Sequence, residues 1–279
     1  MYQKELPGGK ATGRPDVNLS IDIEQGEVIE DLLCNNLRLI QKDGLFKFGL
    51  DSVLLANFTY ATPGSRIVEL CAGSCVVSIL LSSKTKAAHI TGVEVLNEFV
   101  CMAKKSITLN RLDGRVDVVN GDIKNISALF QRGSADTVVV NPPYIKHNSA
   151  LVGCDDLKNI AKHEILCNLN DVVKAASYLL PSGGSFFMVH RPQRLTDVFC
   201  AMRECGVEPK YIKTVHSRYG QRAVLALIEG RKSSGRELIV LDPLFVYDKN
   251  GTHISQDKLN ELSARPSTRP TTRPTTRPK

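Results

Sequence analysis

Short apolar segments alternate with helical segments through most of the chain, and this alternation restricts the possible folds more than any other feature. Each apolar segment has the length and the β-branched content of a buried strand. The strand segments are 66–70, 88–94, 115–119, 136–141, 184–190, 211–216 and 222–229. The helical segments between them lie near 76–84, 97–110, 124–131, 169–180 and 193–205. This order predicts an α/β fold with a doubly wound, mostly parallel sheet and right-handed crossovers.

The last two strand segments, 211–216 and 222–229, are separated by a short polar connection. A parallel pair needs a crossover of about a dozen residues or more, so this pair is predicted to form an antiparallel hairpin. The expected sheet therefore has seven strands, with a terminal antiparallel strand. A further strand-like ribbon, residues 236–248, follows the hairpin.

The two ends of the chain differ from this central series. Residues 1–26 are polar and rich in Gly and Pro, and they are predicted to be flexible. Residues 261–279 end in an Arg-Pro-Thr-rich repeat, which predicts a disordered tail because proline at every fourth position excludes helix and sheet. We expect one large domain, residues 63–260, preceded by a segment, 27–62, that packs on it. That segment is predicted to contain a short helix (27–33), a strand (37–41), a turn at Asp43–Gly44 and a helix (50–58).

The net charge of +7 is concentrated in the tail. Residues 265–279 hold four arginines, one lysine and no acid, so the remaining chain carries only +2. This charge gives no argument for nucleic acid by itself. The sequence contains no apolar run approaching the roughly 20 residues that span a bilayer, and its N-terminus lacks the apolar core of a secretion signal. We therefore expect no membrane partner.

The eight cysteines form neither a C-x-x-C pair nor the Cys/His blocks of a zinc site, so no metal is predicted. Several lie inside apolar segments, where a free thiol behaves as a small hydrophobe. We expect reduced, buried thiols and a cytoplasmic location. The cysteines are at positions 34, 71, 75, 101, 154, 167, 200 and 205.

Polar residues follow four consecutive strands, at the points where a sheet of this type binds its ligands. They are Glu69 with the loop 71–75, then Glu94, then Asp122, then the Asn-Pro-Pro-Tyr motif at 141–144. Successive members are about one βα unit apart. They are therefore predicted to lie on one rim.

Each carboxylate in this set has both a functional and a structural interpretation. The loop after Glu69 has one glycine and no lysine, so it suits an ammonium group better than a phosphate, but it also fits a tight strand-to-helix turn. Glu94 can accept ribose hydroxyls or be a solvated strand end. Asp122 can accept from an adenine amine or cap a helix that starts at Ile123. Together they outline an adenosine carrying an amino-acid cation and no phosphate, as in S-adenosylmethionine.

The Asn-Pro-Pro-Tyr motif is interpreted as the site of a planar amine. The Asn141 side-chain oxygen and the Pro142 carbonyl can accept both N–H bonds of such an amine and align its lone pair. Pro142 and Pro143 stiffen this corner, and Tyr144 can stack on a base. The plain alternative is a proline turn after a strand.

Several segments resemble class I S-adenosylmethionine-dependent methyltransferases of the N-P-P-Y branch, and in particular bacterial tRNA adenine-N6-methyltransferases that act next to the anticodon of valine tRNA. The resemblance covers roughly Glu30 to Leu259. It implies a Rossmann-like methyltransferase fold for residues 63–260, S-adenosylmethionine as cofactor and tRNA as partner. The segments that carry it are "DGLFKFGLDSVLLANF" (43–58), "NPPY" (141–144), "AKHE" (161–164), "GGSFFMVHRPQRL" (183–195) and "VLALIEG" (224–230).

The resemblance also implies roles for individual residues. The implied cofactor residues are Glu69, Cys71, Ala72, Gly73, Glu94, Val95, Asp122, Ile123 and Asn141. The implied catalytic residues are Asn141, Pro142, Pro143 and Tyr144, and those implied to line the substrate site are Phe48, Asp51, His163 and Arg191.

The chain departs from that family in its cofactor loop, where Cys71 and Cys75 replace the first and third of three alternating glycines. Two alternatives stay open. "NPPYI" is equally typical of enzymes that methylate a glutamine amide in translation release factors, although these usually carry a larger helical domain in front. The second alternative is a methyltransferase-like module that has no catalytic activity and is tethered to RNA by its arginine tail.

Overall fold

The structure is a computed structural model that describes residues 21–45, 47–143 and 167–264. Its strands are β1 (Glu27–Asp31), β2 (Arg38–Lys42), β3 (Arg66–Leu70), β4 (His89–Glu94), β5 (Val116–Asn120), β6 (Thr137–Val140), β7 (Ser185–His190), β8 (Val207–His216), β9 (Ala223–Lys232) and β10 (Ile239–Phe245). Its α-helices are α1 (Leu50–Phe58), α2 (Val76–Lys84), α3 (Asn97–Leu109), α4 (Ile126–Leu129), α5 (Leu169–Leu179), α6 (Leu195–Glu204) and α7 (Gln256–Ser263). Short 3-10 turns at Ile123–Asn125 and Pro192–Arg194 precede α4 and α6.

The large sheet has the order β10-β8-β9-β7-β6-β3-β4-β5. Strands β7, β6, β3, β4 and β5 are parallel, while β9 is antiparallel to both β7 and β8. The predicted α/β fold and its terminal hairpin are therefore confirmed. The ribbon predicted after the hairpin joins the sheet as an eighth strand, β10, parallel to β8, so the sheet has one strand more than the predicted seven.

The predicted helix at 27–33 is wrong, because residues 27–31 form strand β1, which pairs antiparallel with β2. Short apolar runs do not distinguish helix from strand by periodicity, and Val28 and Ile29 favour a strand. The reversal between β1 and β2 uses Asn35 and Asn36 at φ of 49° and 57°. Asparagine tolerates this left-handed region better than most residues. The Asn-Asn pair was thus a turn signal.

Helix α1 lies against the sheet, with its first turn at the carboxyl ends of the strands. Phe58 of α1 packs edge-on against Phe187 of β7, with ring centroids 6.1 Å apart. Both rings are fully buried, and burying one such ring is worth about 1.5–3 kcal/mol. This packing fixes the helix whose first turn holds Ser52.

The described cysteines, which lie outside residues 144–166, are free thiols. Cys75 is buried, but Cys101 and Cys200 are exposed, so the prediction that the thiols are buried is wrong for these two. Both lie on outward positions of α3 and α6, whose other faces pack on the sheet. Cys154 lies outside the described residues.

The predicted domain limits stay predictions. Most of the predicted flexible N-terminus, residues 1–26, and most of the predicted tail, residues 261–279, lie outside the described residues. Helix α7 ends at Ser263, within the segment where the tail was predicted to begin. None of the described helices is both long and apolar enough to cross a membrane.

Candidate functional site

A cleft of about 920 Å³, counting its open mouth, lies at the carboxyl ends of β3, β4, β5 and β6. This is the rim that the spacing of the polar residues predicted. Its described lining residues are Phe48, Ser52, Glu69, Cys71, Ala72, Gly73, Ser74, Val76, Val93, Glu94, Val95, Leu96, Phe99, Asp122, Ile123, Asn141, Pro143 and Cys167.

The Asn141 amide is oriented by a serine on α1. Its Nδ2 donates to Ser52 Oγ at 2.9 Å, and Ser52 is buried in the first turn of that helix. This bond assigns the amide nitrogen to the side of α1, so the oxygen Oδ1 is on the other side of the amide group. Sequence reasoning missed Ser52 because its partner lies 89 residues further along the chain.

Pro142 and Pro143 follow Asn141, and of the two only Pro143 lines the cleft, since Pro142 is buried beside it. Tyr144 and His163 lie outside the described residues. Phe48 lines the cleft, and Asp51 accepts from the backbone N–H of Ser52. The substrate-side roles of both residues stay predictions.

Glu69 is a buried carboxylate, with an exposed fraction of 2%. It accepts from the backbone N–H and the hydroxyl of Ser78, at 2.8 and 2.5 Å. Burial raises the pKa of Glu69 to about 7, and the nearby charge of Glu94 adds to the rise. A carboxyl group with this pKa is about half ionised at neutral pH, and a cation beside it would favour the ionised form.

Glu94 connects the loop 71–75 to the start of α3. Its two oxygens accept from Gly73 N at 2.8 Å and Leu96 N at 2.9 Å. Burial raises its pKa, against the opposing effect of these backbone N–H groups. Each carboxylate oxygen has more than one acceptor position, so these bonds are compatible with further bonds to a ligand.

Asp122 caps the turn that begins at Ile123, which was the structural alternative for this residue. It accepts from Lys124 N at 2.9 Å, and the Lys124 ammonium lies 3.3 Å away. It is nevertheless only half-buried and lines the cleft together with Glu69 and Glu94. The structure therefore brings the three predicted carboxylates and Asn141 into one cleft.

The loop 71–75 places three alternating residues in the left-handed region, with φ of 54° at Cys71, 52° at Gly73 and 60° at Cys75. Glycine adopts this conformation without strain, whereas a cysteine costs about 1–2 kcal/mol. The chain therefore keeps the backbone of a three-glycine loop at the expense of strain at two positions.

The two cysteine side chains of the loop have different surroundings. Cys75 is buried against β4, where a Cβ added to Gly92 would come within 2.5 Å of its Sγ. Cys71 lines the cleft, with its Sγ 3.8 Å from that of Cys167. The pKa of the Cys71 thiol is raised well above its ordinary value, mainly by contact with Cys167 and next by burial. Cys71 is thus a neutral, apolar wall of the cleft.

The contact between Cys75 and Gly92 predicts a strong coupling in stability. Gly92→Ala is expected to cost about 1–3 kcal/mol by overpacking. In a Cys75→Gly background that cost should fall by about 1 kcal/mol or more, because the clashing sulfur is gone. Urea unfolding of the four proteins measures this coupling. Additive effects of the two substitutions would contradict the packing described.

Arg191 follows β7, contacts β9 and is not among the described residues that line the cleft, so its predicted place in the substrate site stays a prediction. It is exposed, and its Nη1 is 3.4 Å from the carbonyl oxygen of Val224. Among the described residues, no group of three or more His, Cys, Asp or Glu side chains is arranged to hold a metal ion.

Comparisons with known proteins agree with this fold. The model of the family described as "Methyltransferase small domain" matches residues 37–211. A structure described as a predicted O-methyltransferase from Agrobacterium tumefaciens has a TM-score of 0.63 and 24% identity, covering 77% of this chain and 99% of its own. The cyclase SpnF has a TM-score of 0.50 at 15% identity, covering 70% and 86%. The fold therefore does not by itself set the reaction.

Three relatives by sequence are described as tRNA1(Val) (adenine(37)-N6)-methyltransferases. The protein from Bacteroides fragilis (strain YCH46) is 29% identical over 143 residues, 51% of this chain and 59% of its own length. That from Tolumonas auensis is 26% identical over 173 residues, 59% and 70% of the two chains. That from Aeromonas hydrophila is 22% identical over 208 residues, 74% and 85%. The chain thus spans about three fifths of the first of these relatives.

Proposed function

The chain belongs to the methyltransferase small domain family, and on that premise we propose that it methylates the exocyclic N6 amine of an adenine in tRNA, near the anticodon, with S-adenosylmethionine as cofactor. The observation that carries the proposal is the Asn141 amide, oriented by Ser52 and facing the same cleft as Glu69 and Glu94. The descriptions of the relatives support tRNA as the substrate, and the cytoplasm is the corresponding location.

The lining of the cleft fits this cofactor. Glu69 would bind the ammonium group, Glu94 the ribose hydroxyls and Asp122 the adenine amine. Nothing lies within 4 Å of the position that a Cβ on Gly73 would occupy, so a ligand can approach the loop closely there. None of the described lining residues is Lys or Arg, which agrees with a ligand that has no phosphate. Apolar contacts for the adenosine would come from Ala72, Val95, Leu96, Phe99 and Ile123.

S-Adenosylmethionine supplies an electrophilic methyl group on a positively charged sulfur. The protein's own task is to hold the target nitrogen, whose lone pair is conjugated into the purine ring and is therefore poorly nucleophilic. Asn141 Oδ1 and the Pro142 carbonyl oxygen would accept hydrogen bonds from the two N–H groups of this amine. These two bonds would direct the lone pair of the nitrogen. Positioning of this kind supplies most of the rate without a strong general base. Tyr144 would stack on the flipped base.

Methyl transfer from labelled cofactor tests this function. The full chain is incubated with labelled S-adenosylmethionine and either unmodified total tRNA or a translation release factor, and the products are digested and analysed by mass. We expect label in N6-methyladenosine from tRNA and no label in the release factor. Label in a glutamine amide instead would replace tRNA by protein as the substrate. Label in neither product would reject the proposed methyl transfer to tRNA.

A further inference from the structure

The turn between β8 and β9 carries exposed aromatic and basic side chains on the same edge of the sheet as the cleft. Strand β8 is parallel to β6 and β7, because both β7 and β8 pair antiparallel with β9. The carboxyl end of β8 therefore points in the same direction as that of β6, which leads into Asn141. Three strand spacings, about 14 Å in all, separate the two strands along the sheet. We call Arg218, Tyr219, Arg222, Phe245 and Tyr247 the hairpin-tip cluster.

Tyr219 presents most of its ring to solvent, with an exposed fraction of 73%. Beneath it lie two further rings in tilted contact: the centroids of Tyr219 and Phe245 are 5.8 Å apart with their planes at 49°, and those of Phe245 and His216 are 5.3 Å apart with their planes at 40°. His216 is held in turn by Thr214 and by the carbonyl of Gln221. The exposed ring of Tyr219 is thus held in place by the rings beneath it, and its exposed surface is available for contact with another planar group.

Two arginines flank this ring. The Arg218 guanidinium lies 5.1 Å from the centroid of the Tyr247 ring, and an arginine that stacks on a ring keeps its in-plane N–H donors available to other partners. Arg222 is exposed, and neither arginine forms an ion pair with a described residue. The nearby Asp248 accepts from its own loop, at Asn250 N and Thr252 N. The two arginines at the tip are therefore not paired with a carboxylate among the described residues, in a chain whose charge outside the tail is only +2.

We propose that the hairpin-tip cluster binds an unpaired segment of the RNA substrate, with one base stacked on Tyr219 and the flanking phosphates contacted by Arg218 and Arg222. Stacking on an aromatic side chain combined with cationic contacts to the backbone is the usual chemistry of single-stranded nucleic acid binding. A protein partner with acidic side chains could pair with the exposed arginines. However, it would not explain the exposed ring of Tyr219. This inference rests on the proposed function, because it assigns the RNA of that reaction to a second contact surface.

Three variants of the full chain test the cluster. Tyr219→Ala is expected to weaken binding of an unstructured, fluorescein-labelled 15-nucleotide RNA about tenfold, while Tyr219→Phe restores binding because it keeps the ring. Arg222→Gln should lower the slope of log Kd against log salt by about 0.7, the value for one lost phosphate contact in a single strand. Tyr60→Ala is the matched control, since Tyr60 is 49% exposed and lies at the opposite edge of the sheet, before β3.

Anisotropy measures the RNA affinity, and calorimetry with S-adenosylmethionine reports whether each variant keeps its cleft. With tRNA as substrate, Tyr219→Ala should raise KM about tenfold and leave kcat near that of the wild type. Equal effects of Tyr219→Ala and Tyr60→Ala, or no RNA binding by the wild type, would overturn the inference. Loss of release-factor methylation in Tyr219→Ala would show that the surface docks a protein instead.

The two proposals can fail separately. If the wild type binds the RNA and Tyr219→Ala weakens binding while no RNA is methylated, the cluster stands and the proposed reaction falls. If tRNA is methylated with the same KM by the wild type and Tyr219→Ala, the reaction stands and the cluster falls.

Discussion

Replacing Asn141 with alanine is expected to lower kcat for methyl transfer by about 10²- to 10³-fold, the loss typical when one preorganised hydrogen-bonding group is removed from a reacting centre. The dissociation constant of S-adenosylmethionine should stay within about twofold of the wild-type value, because the substitution removes alignment of the target amine. Single-turnover assays with tRNA measure the first quantity and calorimetry measures the second.

Asn141→Asp is the matched control for this substitution. The aspartate keeps an acceptor oxygen at the same place, and the Ser52 hydroxyl that now accepts from Nδ2 at 2.9 Å can rotate to donate. Its kcat should therefore lie between those of the wild type and Asn141→Ala. Ser52→Ala should lower kcat by about tenfold, the effect of roughly one hydrogen bond. Parallel losses of kcat and cofactor affinity in Asn141→Ala would count against the role given to the amide.

The central sheet was predictable because its signals are local. Each parallel strand is a short apolar run, and the helix between two such runs dictates a crossover connection. The residues at the carboxyl ends of these runs, among them Glu69, Glu94 and Asp122, then meet at one rim whatever the details of packing. Strand β1 was missed because its conformation depends on pairing with β2, as in Ile29 opposite Ile40.

The unpredicted parts of the cleft come from contacts between residues distant in the chain. Ser52 reaches Asn141 across 89 positions, and Cys167 reaches Cys71 across 96. No short motif encodes such pairs, since they depend on how α1 and Cys167, just before α5, pack over the strand ends. The cysteines of the loop show a related limit. Their departure from glycine is visible in the sequence, but the accommodation of Cys75 by Gly92 requires the sheet.

The raised pKa of Glu69 makes both stability and cofactor affinity depend on pH, in opposite directions. In the unfolded chain this carboxyl titrates near its ordinary value of 4.5, whereas in the folded chain burial raises the pKa to about 7. At pH values between 4.5 and 7, the folded protein therefore keeps a proton on Glu69 that the unfolded chain has released. Stability from this group is fully present below pH 4.5 and is lost as the pH rises to 7, by about 3 kcal/mol at most.

Cofactor affinity should change the other way, because an ammonium group beside Glu69 favours the carboxylate. Below pH 7 the dissociation constant of S-adenosylmethionine is expected to rise about tenfold for each pH unit, since binding must then displace a proton. Above pH 7 the contribution of Glu69 levels off. Burial also raises the pKa of Glu94.

The Glu69→Gln variant separates the effects of Glu69 on stability and on cofactor affinity from those of every other titrating group. The amide keeps an acceptor for the Ser78 N–H and hydroxyl, which donate to the carboxylate at 2.8 and 2.5 Å, but it has no proton to release. The variant should bind the cofactor about 10- to 100-fold more weakly than the wild type at pH 8, as expected for a lost charge-assisted contact. Between pH 6 and 7 it should show little of the wild-type change. The ligand's own amine titrates identically in both proteins, so calorimetry across this range isolates the carboxylate. A wild-type slope retained in Glu69→Gln would place the titrating group elsewhere.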